Sequence, residues 1–175
     1  IYNNLTILRD KIKSSKDLKK HLKQIKSVEK EITIFHAISV NKILKKTTAN
    51  IDFIGFHGQT IFHNAEEKIT KQLGNGKLLS KLTKKKVVYD FRKNDLKNGG
   101  QGAPLTPIFH KMLAEKFKIK SVSFYNIGGI VNQTTIWGDG TLSGEDLGPG
   151  MCLIDQCVRT KFKKKYDING SIAKS

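Results

Sequence analysis

A chain of 175 residues with 38% hydrophobic content can bury a core and form one domain or parts of two, which excludes a disordered polymer. Its formal charge of +17 invites a nucleic-acid partner, but 29 of the 32 basic residues are lysines scattered along the chain, and only Arg9, Arg92 and Arg159 offer the planar fork suited to phosphate or base edges. A solvated lysine-rich surface accounts for the charge, and no apolar run approaches the roughly 18 residues needed to cross a bilayer; neither nucleic acid nor membrane is expected as a partner.

The chain opens on Ile1 rather than Met, so a piece of a longer protein is expected. In SKDLKKHLKQIK, from Ser15, the residues Leu18, Leu22 and Ile25 recur at helical spacing, with a serine available as N-cap, and predict a one-sided surface helix. A second helix is predicted from about Glu29 to Lys46 on the recurrence of Ile32, Phe35, Val40, Ile43 and Leu44, with His36 among them as a core or boundary residue. After Asn50 the pattern turns β-branched and aromatic, and IDFIGF reads as a buried strand ending at Gly55.

Directly after it stands GFHGQTIFH, a cluster of hydrogen-bonding groups at a strand's carboxyl end, where ligands sit in open α/β sheets. The alternative is a loop satisfied by its own backbone. His57 and His63, six apart with no third ligand, make a weak metal site, and none is assigned. A short helix follows from Gly76 to Lys84 with Leu78, Leu79 and Leu82 inward, then an apolar strand, VVYDF, from Val87.

That strand leads into FRKNDLKNGGQGAPLTP, read as a glycine-rich loop with Asp90, Asp95 and Arg92, before a helix from about Pro104 to Lys116. Asp90, at the strand end, reads as a cap. A third strand, SVSFYNIGGIVNQTTIW, begins at Ser121, and its glycines imply a tight bend or a close approach to a ligand. SGEDLGPG then supplies an acid and a further glycine-rich turn. Three glycine-rich polar segments after three apolar strands suggest a phosphate-binding crevice between two α/β units. Cys152 and Cys157 fit neither a zinc knuckle nor a redox pair, so a reduced, cytoplasmic protein is expected.

GFHGQTIFH, QLGNGKLLSKL, DFRKNDLKNGGQGAPLTPIFH, NIGGIVNQT, GEDLGPGMCLID and KYDINGSIA stand in the order and spacing of the anhydro-N-acetylmuramic acid kinase family, which the chain resembles from about Glu29 to Ala173. The resemblance implies an α/β fold of ribonuclease-H-like ATPase domains of the actin, sugar-kinase and Hsp70 type, incomplete in this chain. Residues 1–120 would be the latter part of the first domain and 121–175 the start of the second. The implied reaction converts 1,6-anhydro-N-acetylmuramic acid, with ATP and water, to N-acetylmuramic acid 6-phosphate in peptidoglycan recycling. The alternative is a non-catalytic nucleotide- or sugar-binding relative.

Carried over position by position, Asp95 matches the family's catalytic aspartate, which takes a proton from the water attacking the anomeric carbon. His57, Gly58, Gln59 and Thr60 would line the sugar side. Arg92 would suit the substrate's lactyl carboxylate, would orient the loop, or would form an ion pair with Asp90 or Asp95. Asn126, Gly128, Gly129 and Asn132 would form the second phosphate loop, with Asp146, Gly148 and Gly150 nearby, and Mg2+ would arrive with ATP, held mostly by phosphates and waters. The amino sugar and ATP are the implied partners, with a homodimer an open possibility. Leu147 and Met151 stand where the family has threonine and asparagine, and Lys85 stands near the place of a family turn glycine. The family's first phosphate hairpin and most of its second domain have no counterpart in this chain.

Overall fold

The computed structural model describes all 175 residues, Ile1 to Ser175, as two compact units, Ile1–Ala103 and Pro104–Ser175. The first unit opens with α1 (Tyr2–Lys11), α2 (Ser15–Lys20) and α3 (Leu22–Leu44). The chain breaks at His21 and then runs unbroken, so the two helices expected on either side of residue 28 are one helix of 23 residues. Nothing in Lys23–Glu29 interrupts it, and Ile25, Val28 and Ile32 form a continuous buried stripe at helical spacing.

That stripe joins Leu8 and Ile12 from the α1 end and Ile61 and Leu73 from the following hairpin in one core cluster. Phe35 and Ile43, read as inward, are exposed; Thr33 and Ala37 occupy the buried face there. His36 is a boundary residue, its Nδ1 2.8 Å from the Ile32 carbonyl and its ring against Phe56.

The strand β1 (Phe53–Phe56) pairs in parallel with β4 (Lys86–Tyr89), and between them lie β2 (Gln59–Asn64), β3 (Ile69–Leu73) and α4 (Gly76–Thr83). Only one face of β1 is packed: Phe56 is buried with Ala37 and Leu79, while Phe53 is exposed. β2 and β3 form an antiparallel hairpin with an irregularity at Ile61, so the segment read as a polar loop is largely strand. In α4, Leu79 is buried but Leu82 is exposed, and Thr83 takes the inward position.

α4 ends on Lys84 in the left-handed conformation, φ 55° and ψ 28°. The strained turn position is therefore Lys84, one residue before Lys85. Behind α4, Thr33 of α3 accepts the Asn75 amide at 3.0 Å, and Glu29 meets Lys71 at 2.6 Å in a half-buried pair.

α5 (Phe91–Lys97) follows β4 after Asp90, so the stretch read as a loop begins as a helix. In the second unit, α6 (Thr106–Lys116) packs on an antiparallel sheet of β5 (Val122–Ile127), β6 (Ile130–Ile136) and β7 (Leu142–Pro149), and α7 (Met151–Phe162) leads to a short 3-10 turn at Ile168–Gly170. The single strand expected from Ser121 folds back at Gly128–Gly129 into β5 and β6, and the segment read as an acid-bearing turn is strand β7. Edge strands of polar sequence lack the apolar alternation that marks a strand, and here they are decided by pairing with β6.

Candidate active site

In the first unit the site is built around one residue, Gly102. Asp95 lies three residues after Arg92, on the same face of α5. Its Oδ2 accepts the Gly102 N–H at 2.7 Å, while Arg92 Nη1 donates to the Gly102 carbonyl at 2.6 Å. Gly102 has φ 72°, and a Cβ there would meet His63 Cε1 at 2.9 Å and Leu96 Cγ at 3.0 Å. Gly100 sits over the same carboxylate, and a Cβ on it would overlap the Asp95 oxygens. The GGQG turn is thus shaped to bring backbone onto Asp95. The second carboxylate oxygen, Oδ1, takes no hydrogen bond from the protein.

Arg92 reaches a second loop as well. Its Nε donates to His57 Nε2 at 2.9 Å, and His57 Nδ1 lies 2.8 Å from the Gly58 carbonyl. A guanidinium has no acceptor, so His57 Nε2 presents its lone pair and the proton is on Nδ1, which donates to Gly58. Partial burial lowers the Arg92 pKa, and as an arginine the side chain stays charged. Neither ion pair considered for Arg92 forms. Asp90 pairs with Lys93 at 3.0 Å instead, and its side chain makes no cap bond, so the residue serves as N-cap through its backbone alone.

Of the predicted catalytic and sugar-side residues, Asp95 and Arg92 meet on Gly102, and His57 joins them through Arg92. Gln59 and Thr60 lie on β2; Gln59 is exposed and pairs in register with Leu73, and the Thr60 hydroxyl accepts from buried Gln72 at 3.3 Å. His63 faces Thr70, 3.1 Å from its hydroxyl, and supports the Gly102 turn rather than joining His57. Sequence reasoning passes over Gly102 and Gln72, and it weighs His63 only as a weak metal ligand. Gly102 stood within GGQGAP, but the partners of its two peptide groups are set by folding.

In the second unit, Asn126 pairs with Asn132 across β5 and β6, and Asn132 with Asp146 across β6 and β7. The three polar residues form one row across the sheet, next to the Gly128–Gly129 bend. That bend is docked on the start of α7: Gly150 N–H donates to the Gly129 carbonyl at 2.9 Å and Met151 N–H to the Gly128 carbonyl at 2.8 Å. A Cβ on Gly150 would collide with the Gly128 carbonyl. Gly150, expected at the phosphate, spends its amide on the bend in this state, and Gly148 lies within β7. Leu147 and Met151 are both exposed. No group of three His, Cys, Asp or Glu side chains gathers to hold a metal ion. No helix is long and apolar enough to cross a membrane.

Two mixed helix and strand units, one with a carboxylate fixed by a glycine turn and one with a polar row beside a glycine bend, make an α/β protein, in keeping with the incomplete sugar-kinase-type ATPase fold that the resemblance implies. Residues 5–175 match the family model for anhydro-N-acetylmuramic acid kinase. The chain is 54% identical over 173 residues to the anhydro-N-acetylmuramic acid kinase of Pelagibacter ubique (strain HTCC1062), covering 97% of this chain and 46% of that protein. It is 45% identical over 154 residues to the enzyme of that name from Rhizobium etli, covering 85% and 42%, and 41% identical over 157 residues to that of Brucella abortus (strain 2308), covering 86% and 42%. The chain belongs to the anhydro-N-acetylmuramic acid kinase family and spans about half the length of the curated relatives it matches.

Proposed function

We propose that the complete protein containing this chain is an ATP-dependent kinase that opens 1,6-anhydro-N-acetylmuramic acid with water and phosphorylates it at position six, in peptidoglycan recycling. The observation that carries this reading, beyond family membership, is Asp95: one carboxylate oxygen is held by the Gly102 amide and the other is free. A base tethered at one oxygen presents the other in a fixed direction, which general-base catalysis requires.

In this reading Asp95 Oδ1 takes a proton from water as the water oxygen bonds to the anomeric carbon. The bond from that carbon to O6 breaks, and O6 is left to receive the phosphoryl group that ATP supplies. Gly58, Gln59 and Thr60 line the sugar side, with His57 held between Arg92 and the Gly58 carbonyl behind them. Asn126 and Asn132, with the Gly128–Gly129 bend, face phosphate. Asp146 is an exposed carboxylate in the same row, and it fits a Mg2+ held mainly by phosphates and waters. We assign residues 1–120 to the latter part of a first ribonuclease-H-like domain and 121–175 to the opening of a second, with α6 the connecting helix, packed on the sheet of the second unit. The protein acts in the cytoplasm on small molecules, without nucleic acid or membrane, and a homodimer is compatible with this role.

The test is turnover by the purified complete protein in water enriched in heavy oxygen. The label should enter at the anomeric carbon and not in the ester oxygen at position six. Asp95→Asn should lower turnover roughly 10²- to 10⁴-fold with little change in sugar binding. Near-normal turnover by that variant would remove Asp95 from the role of base.

A further inference from the structure

We infer that Arg92 is a positioning residue for Asp95, acting through Gly102 and His57, and not the ligand of the substrate's carboxylate. The inference rests on the reading of Asp95 as base. Arg92 and Asp95 project from one face of α5 and hold the two peptide groups of a single residue, Asp95 on the Gly102 N–H at 2.7 Å and Arg92 on its carbonyl at 2.6 Å. Gly102 cannot swing away from Asp95 while Arg92 holds its other side.

A second of the guanidinium's five donors, the Nε–H, ends on His57 Nε2 at 2.9 Å, which ties the β1–β2 connection to the turn after α5. Two donors at a fixed angle thus join two loops. Both acceptors are neutral, and no carboxylate lies within ion-pair distance of Arg92, so what the site uses is the rigid fork rather than the charge. A lysine, with one nitrogen on a flexible stem, cannot span both acceptors. The same contact holds His57 as the Nδ1–H tautomer, donating to Gly58 at 2.8 Å, so its Nε2 is committed inside the protein and does not serve the substrate.

The experiment uses the complete enzyme with the anhydro sugar and ATP, and compares Arg92→Lys and Arg92→Gln with the native residue. Both should lose kcat by about 10- to 100-fold while the sugar KM moves less than about threefold, as when an interaction serves only the transition state. Retained kcat with a KM raised about 100-fold would show carboxylate capture and overturn the inference.

A second arm adds Arg92→Gln to Asp95→Asn. If Arg92 works through Asp95, the pair should be little slower than Asp95→Asn alone, whereas multiplied losses would refute it. A third arm reads nitrogen chemical shifts of His57, which should report an unprotonated Nε2 in the native protein and a tautomer mixture in Arg92→Gln; an unchanged ring overturns the clamp even where a variant is too unstable for kinetics. Failure of the native enzyme to turn over the anhydro sugar sinks the functional reading, and the His57 spectrum then decides the clamp separately.

Discussion

Gly100 does at Asp95 what no side-chain contact can, because its missing Cβ leaves room for the carboxylate against the turn. Gly100→Ala therefore places a methyl group on those oxygens and should reduce turnover of the complete protein by at least about tenfold without touching an ionisable group, since misplacement of a reacting group costs rate steeply. Unchanged kinetics would mean that the turn relaxes freely. At Lys84 the same logic runs towards stability. A left-handed φ of 55° costs a residue with a Cβ about 1 to 2 kcal/mol. Lys84→Gly should raise the midpoint of thermal unfolding, offset in part by glycine's greater unfolded-state entropy. The resemblance puts a family turn glycine near Lys85, and the left-handed position falls one residue earlier, at Lys84, because that is where α4 ends.

Helix α2 is six residues long and has no fully buried residue, so it rests on the packing of Leu18 against the core and on its cap. Asp17 accepts the Ser14 hydroxyl and the Ser14 and Lys13 amides at 2.9, 2.9 and 3.1 Å, and these bonds, led by the hydroxyl, lower its pKa. With the folded value depressed, this support is complete above the ordinary carboxylate range and is lost as pH falls through the lowered value. Amide shifts of α2 should follow that acid titration in the native chain and lose it in Asp17→Asn. At the other end, Gly150→Ala should push the Gly128–Gly129 bend off α7, because the new methyl group meets a backbone carbonyl. Hydrogen exchange at Met151 should quicken, and exchange at the native rate would contradict that packing. The helices of long apolar period were legible in the sequence. The hairpin of β2 and β3 and the strand β7 were not, since their polar residues satisfy partners on neighbouring strands rather than displaying an alternating pattern.

Across the whole chain, many large apolar side chains are exposed, among them Phe35, Phe53, Phe109, Met112, Leu153 and Phe162. Singly exposed residues of this kind are ordinary on a protein surface, and only a contiguous patch of them marks an interaction site. We expect the 175-residue chain alone to show no kinase turnover, because phosphoryl transfer needs the phosphate-holding elements and the base positioned together, and the relatives carry about twice this length. A steady-state assay with ATP and the anhydro sugar checks this, and measurable turnover by the chain alone would show that the segments present suffice.

The family was legible without coordinates, because runs such as GGQGAP and NIGGI are long and unlikely to recur together by chance; close approach requires glycine at Gly100 and Gly102, whereas Gly128 and Gly129 meet only ordinary contacts. The α/β class followed from helical and strand periods in the same way. Which groups met was decided only by tertiary structure. Arg92 had three sequence-compatible partners, and folding put its donors on His57 and Gly102 because α5 forms where a loop was expected and turns Arg92 and Asp95 onto one face. Periodicity reports which side of an element is buried, whereas a hydrogen bond between distant loops depends on the path of the chain between them.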